Sequence, residues 1–236
     1  MPYDFDKVID RRNSDSVKWK WYGDALPLWV ADMDFEAPEP VRRAVVERAA
    51  HGVYGYAWPP DDLTGVLVAW LQRRFNWTVP AEALVLVPGV VSAFNIACRA
   101  FCSQGDGVFD QAPVYPPMRT APANFGLTLD EMQLTPGPDG RYTVDYEQMD
   151  ANITERTRLF LLCSPHNPTG RVFSEAELSA MAEVALRRNL IICSDEIHCD
   201  LVYPPYRHIP VASLSPEIAA RTVTVMAPSK TFNIPG

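Results

Sequence analysis

One lysine stands apart from the rest of this chain. Of 236 residues, 17 are arginine and only four are lysine; Lys7, Lys18 and Lys20 fall in the first twenty positions, and the fourth is Lys230. Arginine meets most needs for surface charge, but it stays protonated and is a poor nucleophile. A lysine amine can lose its proton and attack a carbonyl. Two readings of Lys230 follow: chance survival in an arginine-rich chain, or an amine retained for Schiff-base chemistry. Lys230 follows the apolar run Thr222–Met226 and lies beside the hydroxyl of Ser229.

Three other apolar runs end on residues suited to chemistry. Leu84–Val87 leads into Pro88-Gly89-Val90-Val91-Ser92, where a helix start would offer free backbone N–H groups and a positive dipole end to a phosphate. Many helices begin this way. Leu159–Cys163 leads into Ser164-Pro165-His166-Asn167-Pro168-Thr169-Gly170, which presents Asn167 on a stiff turn or is simply a turn. Leu190–Cys193 leads into Ser194-Asp195-Glu196-Ile197-His198. An Asp there is costly to bury without a cationic partner, and is equally a helix cap or half of a salt bridge.

These positions need elements to hold them. Helices are predicted from Pro38 and Pro40 to about Ala50, from Asp61-Asp62 through Phe75, over Val90–Phe101 and about Asp145–Ile153, and over Ser174–Arg188 with Ser174 and Glu177 as a capping box. Short strands are predicted at Leu84–Val87, Val108-Phe109, Leu127–Leu134, Leu159–Cys163, Leu190–Ser194 and Thr222–Met226. Strands alternating with helices imply a mainly parallel α/β sheet covered on both faces, whose ligand sits at the carboxyl ends of the strands. The segment before Pro40 is aromatic and irregular, and reads as an arm.

Composition removes other classes. With 47% hydrophobic and 21% charged residues the chain is not disordered, and a net charge of −8 argues against a nucleic-acid surface. No apolar run approaches membrane-spanning length, and Met1–Asp10 holds three aspartates, unlike a signal peptide. The five cysteines (98, 102, 163, 193 and 199) form no CxxC pair, and the four histidines have no zinc-ligand spacing with them. A reduced, cytoplasmic setting is expected, with the cysteines as small core residues and no metal.

Taken together, a Schiff-base lysine, an acid for a pyridine nitrogen, a phosphate cradle and a donor to a ring hydroxyl are what pyridoxal 5'-phosphate requires. The motifs NPTG (167–170), DEIH (195–198) and SKTFNIPG (229–236) resemble the fold-type I, class I/II aminotransferase family. WVADMDF (29–35), YGY (54–56), PGVVSAF (88–94) and APVYPPM (112–118) are similar to its cystathionine β-lyase (C–S lyase) branch, the MalY and PatB type.

The resemblance implies that Lys230 carries the cofactor and moves the Cα proton, and that Asp195 pairs with the pyridinium nitrogen. It implies Asn167 on the ring hydroxyl, with His198 where relatives place a tyrosine, and Tyr115 stacked on the ring. It further implies Val90, Val91 and Ser229 on the phosphate, and Tyr56 reaching the cofactor of a second subunit in a homodimer. Without the resemblance, Tyr54 and Tyr56 read as a plain aromatic patch.

The implied reaction is β-elimination on L-cystathionine or a related L-cysteine S-conjugate. Transamination is the alternative, and a non-catalytic regulator a more remote one. The implied division is an arm and active-site cover over 1–40 and a cofactor-binding large domain over 41–236. The family continues past this lysine into a small domain bearing the carboxylate-binding arginine. The chain is therefore expected to be truncated and to lack that residue, and none of its 17 arginines is assigned the role.

Overall fold

The computed structural model describes residues 3–236. The chain divides into two compact units, one formed by the residues up to Trp58 together with Pro228–Gly236, the other by Pro59–Ala227.

The first unit contains helix α1 (Val17–Lys20) and helix α2 (Glu39–Ala50), which starts with Pro40 in its first turn, where the missing N–H costs nothing. Its polar centre is built on the 29–35 motif. Arg11 forms ion pairs with Asp32 (2.7 Å) and Asp34 (2.6 Å), and Lys18 reaches Asp34 (2.7 Å) and the Asp32 carbonyl (2.6 Å). Burial works to raise the Asp34 carboxyl, but hydrogen bonds from Lys18, Trp19 and Arg11 outweigh it and hold the group below the usual carboxylate range.

The second unit runs through α3 (Leu63–Phe75), α4 (Val90–Phe101), β1 (Gly107–Ala112), α5 (Pro116–Thr120), β2 (Thr128–Gln133), β3 (Thr135–Pro136), β4 (Tyr142–Thr143), α6 (Tyr146–Asn152), β5 (Thr157–Cys163), α7 (Glu175–Arg187), β6 (Ile191–Asp195), α8 (Pro216–Ala219) and β7 (Thr222–Val225). Five strands form one sheet in the order β2-β1-β5-β6-β7, parallel at every pairing, while β3 and β4 make a separate antiparallel ribbon. The α/β class and the mainly parallel sheet expected from the sequence are present.

Side chains alternate across the central strand. Leu159, Leu161 and Cys163 of β5 join Val90, Phe94 and Cys98 of α4 and Cys193 of β6 on one face. Phe160 and Leu162 join Met149 of α6, Leu178 and Met181 of α7, and Ile192 of β6 on the other. Strands covered on both faces become continuous apolar runs, which is why β5 was readable. Helix α7 begins as predicted: Ser174 accepts from the Glu177 N–H and Glu177 returns a bond to the Ser174 N–H.

Residues 84–87 do not form the predicted buried strand. Val85, Leu86 and Val87 are exposed, and the segment joins no ladder among the described residues. Apolar alternation marks a chain that can extend, but a strand also needs a neighbour for its backbone groups. The strand predicted at Val108-Phe109 is longer, because Asp110 and Gln111, although polar, lie buried in β1. In the first unit, α9 (Pro228–Thr231) carries Ser229 and Lys230.

Candidate active site

The sheet order creates a divergence. From β1 the chain goes outward to β2, whereas from β5 it goes the other way through β6 to β7. The connections leaving the carboxyl ends of adjacent β1 and β5 therefore part, and such a switch point opens a crevice for ligands.

Three strand ends deliver residues there. Tyr115 follows β1; it is half-buried and packs with the α4-side core. Burial, then the nearby charge of Asp195, pushes its phenol above the ordinary range. Asn167 follows β5, and its backbone N–H donates to Cys163 Sγ at 3.4 Å. The turn holding it is closed by His166 N–H donating to Arg171 O (2.7 Å), Gly170 N–H donating to His166 O (2.8 Å) and a Thr169–His166 side-chain bond of 2.9 Å. Burial drives the His166 imidazole down to about 4, so it is neutral near pH 7.

Asp195 ends β6 and is 4% exposed. It pairs in register with Cys163 and Val225, and its Oδ1 accepts the Ile197 N–H at 3.1 Å. Burial first, then the Asp195 charge, raises the thiols of Cys163 and Cys193, which agrees with their expected role as core residues. All five cysteines are free, and Cys199 is buried. His198 is partly buried in the turn beyond Asp195.

The α4 N-terminus completes this edge. The first helical bond runs from the Ala93 N–H to the Gly89 carbonyl (3.0 Å), leaving the amides of Val90, Val91 and Ser92 outside the ladder. Gly89 enters the helix at φ 96°, ψ 160°, a conformation that a Cβ forbids. Because α4 precedes β1 and packs on β5, β6 and β7, its positive end lies at the strands' carboxyl edge.

The second unit therefore brings Val90, Val91, Tyr115, Asn167, Asp195 and His198 to one edge. Lys230, Ser229 and Tyr56 belong to the first unit. There Lys230 Nζ donates to the Ala31 carbonyl at 2.7 Å, and the Asn233 carboxamide binds Met33 N–H (2.9 Å), Met33 O (2.9 Å) and Phe35 O (2.8 Å). Asn233 thus clasps the 29–35 motif next to the lysine. It stood in the SKTFNIPG motif without a role, because a contact spanning 200 residues leaves no local signal. Tyr56 is fully exposed.

The donor set at the sheet edge suits a phosphorylated, cationic pyridine: unbonded amides at a helix N-terminus for the phosphate, a buried carboxylate for the ring nitrogen, a half-buried aromatic face and a carboxamide. Comparison with known proteins agrees. Residues 24–236 match the family model for aminotransferase class I and II, and the chain belongs to that family.

The curated relative cystathionine β-lyase PatB of Bacillus subtilis is 41% identical over 98% of this chain and 62% of its own length. Cystalysin from Treponema denticola, solved with pyridoxal 5'-phosphate, superposes with a TM-score of 0.93 at 35% identity, over 99% of this chain and 61% of that one. N-succinyldiaminopimelate aminotransferase from Mycobacterium tuberculosis superposes with a TM-score of 0.80 at 32% identity, over 88% of this chain and 54% of that one. The chain spans about three fifths of the length of the curated relatives PatB and MalY.

Proposed function

We propose that this chain is the cofactor-binding part of a pyridoxal 5'-phosphate-dependent C–S lyase. The proposed reaction is β-elimination on L-cystathionine or a related L-cysteine S-conjugate, with release of a thiol, pyruvate and ammonia. The observation that carries the reading is the convergence of the Val90 and Val91 amides, Tyr115, Asn167 and Asp195 on one edge of a parallel sheet, in a chain 41% identical to a cystathionine β-lyase.

When bound, the cofactor supplies an electron sink for the carbanion at the substrate Cα. The chain's own residues do the rest. The Val90 and Val91 amides would hold the phosphate, and the family resemblance would add the Ser229 hydroxyl. Tyr115 would stack on the ring and Asn167 would donate to its oxygen, with His198 a further candidate for that contact. An anionic Asp195 raises the pKa of the ring nitrogen and keeps its proton in place. Lys230 would hold the cofactor and, as a free amine, would take the substrate Cα proton. The Cβ–S bond would then break with its electron pair leaving on sulfur, and water would convert the released enamine to pyruvate and ammonia.

In this reading residues 1–40 cover the site, residues 41–236 form the cofactor-binding domain, and Tyr56 serves the site of a second copy in a homodimer. Five free thiols suit a cytoplasmic enzyme. No helix among the described residues is long and apolar enough to cross a membrane.

Pyruvate release from L-cystathionine by the full-length enzyme is the measurement to make. Release without any 2-oxo acid supports the lyase. Turnover that requires a 2-oxo acid and yields no pyruvate assigns the chain to the aminotransferases.

A further inference from the structure

Asp195 is the last residue of its strand, followed at once by a turn, yet its carboxylate must hold one position. A displacement of about 1 Å at such a group costs on the order of a hundredfold in rate. Something must brace the strand end, and the next residue has the means.

Glu196 is 0% exposed. Its Oε1 accepts from the Ser194 hydroxyl at 2.9 Å and the Val211 N–H at 3.0 Å. Its Oε2 accepts from His208 Nε2 at 2.7 Å. A buried carboxylate is tolerated when donors fill its lone pairs, and three do so here. His208 is 8% exposed and packs its ring edge-on against Phe75 of α3, with centroids 5.2 Å apart. Val211 belongs to the core on the α7 side of the sheet, whereas Asp195 faces the α4 side with Cys163 and Cys193. Alternation along the chain thus sends one carboxylate into each face.

The backbone around these residues is tied as well. Ser164 N–H donates to the Asp195 carbonyl and Glu196 N–H to the Val225 carbonyl, both at 2.9 Å. Ile197 then supplies the N–H that holds Asp195 Oδ1, so the turn that Glu196 anchors is also the turn that orients the Asp195 carboxylate.

We propose that Glu196, braced by His208, is the positioning residue for Asp195: a buried acid on the far face of the sheet that sets the orientation of the acid facing the cofactor. The inference rests on the proposed function for the role of Asp195, but not for the geometry it predicts.

The test uses full-length enzyme carrying Glu196→Gln, His208→Phe or His208→Gln, with Ser174→Ala as a control that destabilises a distant helix cap. In cofactor-free protein, hydrogen exchange at the Ile197 amide is expected to be at least about tenfold faster in Glu196→Gln and His208→Phe. In loaded enzyme, the pH titration of the cofactor's visible absorbance is expected to move by about one unit in the same variants. His208→Gln keeps a donor and is expected to return both readouts toward wild type, and Ser174→Ala to lower Tm without moving either.

Variants that lower Tm while leaving Ile197 exchange and the spectral titration unchanged overturn the proposal. Should Glu196→Gln fail to fold, the His208 pair decides it. Should the wild-type enzyme show no visible cofactor absorbance, the proposed function falls, and Ile197 exchange still decides the positioning claim.

Discussion

At the scale of single residues, two side chains carry predictions of their own. Asp110 is wholly buried in β1, and burial, reinforced by the Glu131 charge and partly offset by Arg119, lifts its carboxyl to about 7. The unfolded chain gives up this proton near pH 4 and the folded chain near pH 7. The stabilising contribution is thus complete below pH 4 and drains away as pH rises to 7. Asp110→Asn stays neutral throughout. Its Tm is expected to match wild type at pH 4 and to exceed it at pH 8, by a margin corresponding to about 4 kcal/mol. A difference that does not change between pH 4 and 8 contradicts this. Lys230 is the other case. Lys230→Ala is expected to abolish the visible absorbance of lysine-bound cofactor in the full-length enzyme, and a variant that keeps the band removes this lysine from the chemistry.

At the scale of elements, helix starts do most of the work. Gly89→Ala puts a Cβ where φ is 96°, at a cost of about 1–3 kcal/mol, and turns the α4 amides. The variant is expected to melt lower and to bind pyridoxal 5'-phosphate several-fold more weakly, while affinity for unphosphorylated pyridoxal changes less. Equal losses for both ligands count against a phosphate cradle at Val90 and Val91. Ser174→Ala breaks the α7 capping box, and a loss of about 1 kcal/mol with unchanged cofactor affinity is expected by thermal melting and titration.

Both helix starts were legible because a cap or a turn is written in adjacent residues. Residues 84–87 misled because apolar alternation says nothing about a partner strand. The polar half of β1 was missed because Asp110 and Gln111 take their burial from helices and strands distant in sequence.

At the scale of the whole molecule, the homodimer reading has its own test. If Tyr56 serves a second copy, neither Tyr56→Phe nor Lys230→Ala has an intact site, but a mixed dimer has one with both native residues. Mixing the two full-length variants under subunit exchange is expected to restore pyruvate release above either alone; no gain places Tyr56 outside the partner's site.

The sequence by itself determined the chemical groups: a solitary lysine, an acid and a carboxamide at the ends of apolar runs, and a glycine before a helix. It also determined the family, because those motifs are local and their residue types are dictated by the cofactor's needs. The tertiary structure alone decided which of them meet. Val90, Tyr115, Asn167 and Asp195 share one edge because β1, β5 and β6 are parallel neighbours and α4 runs back along them, an order set by packing rather than by any local pattern. The same is true of the brace behind Asp195. Glu196 was visible as a letter in a motif, but its burial against His208 and Val211, 12 and 15 residues further on, came only with the fold.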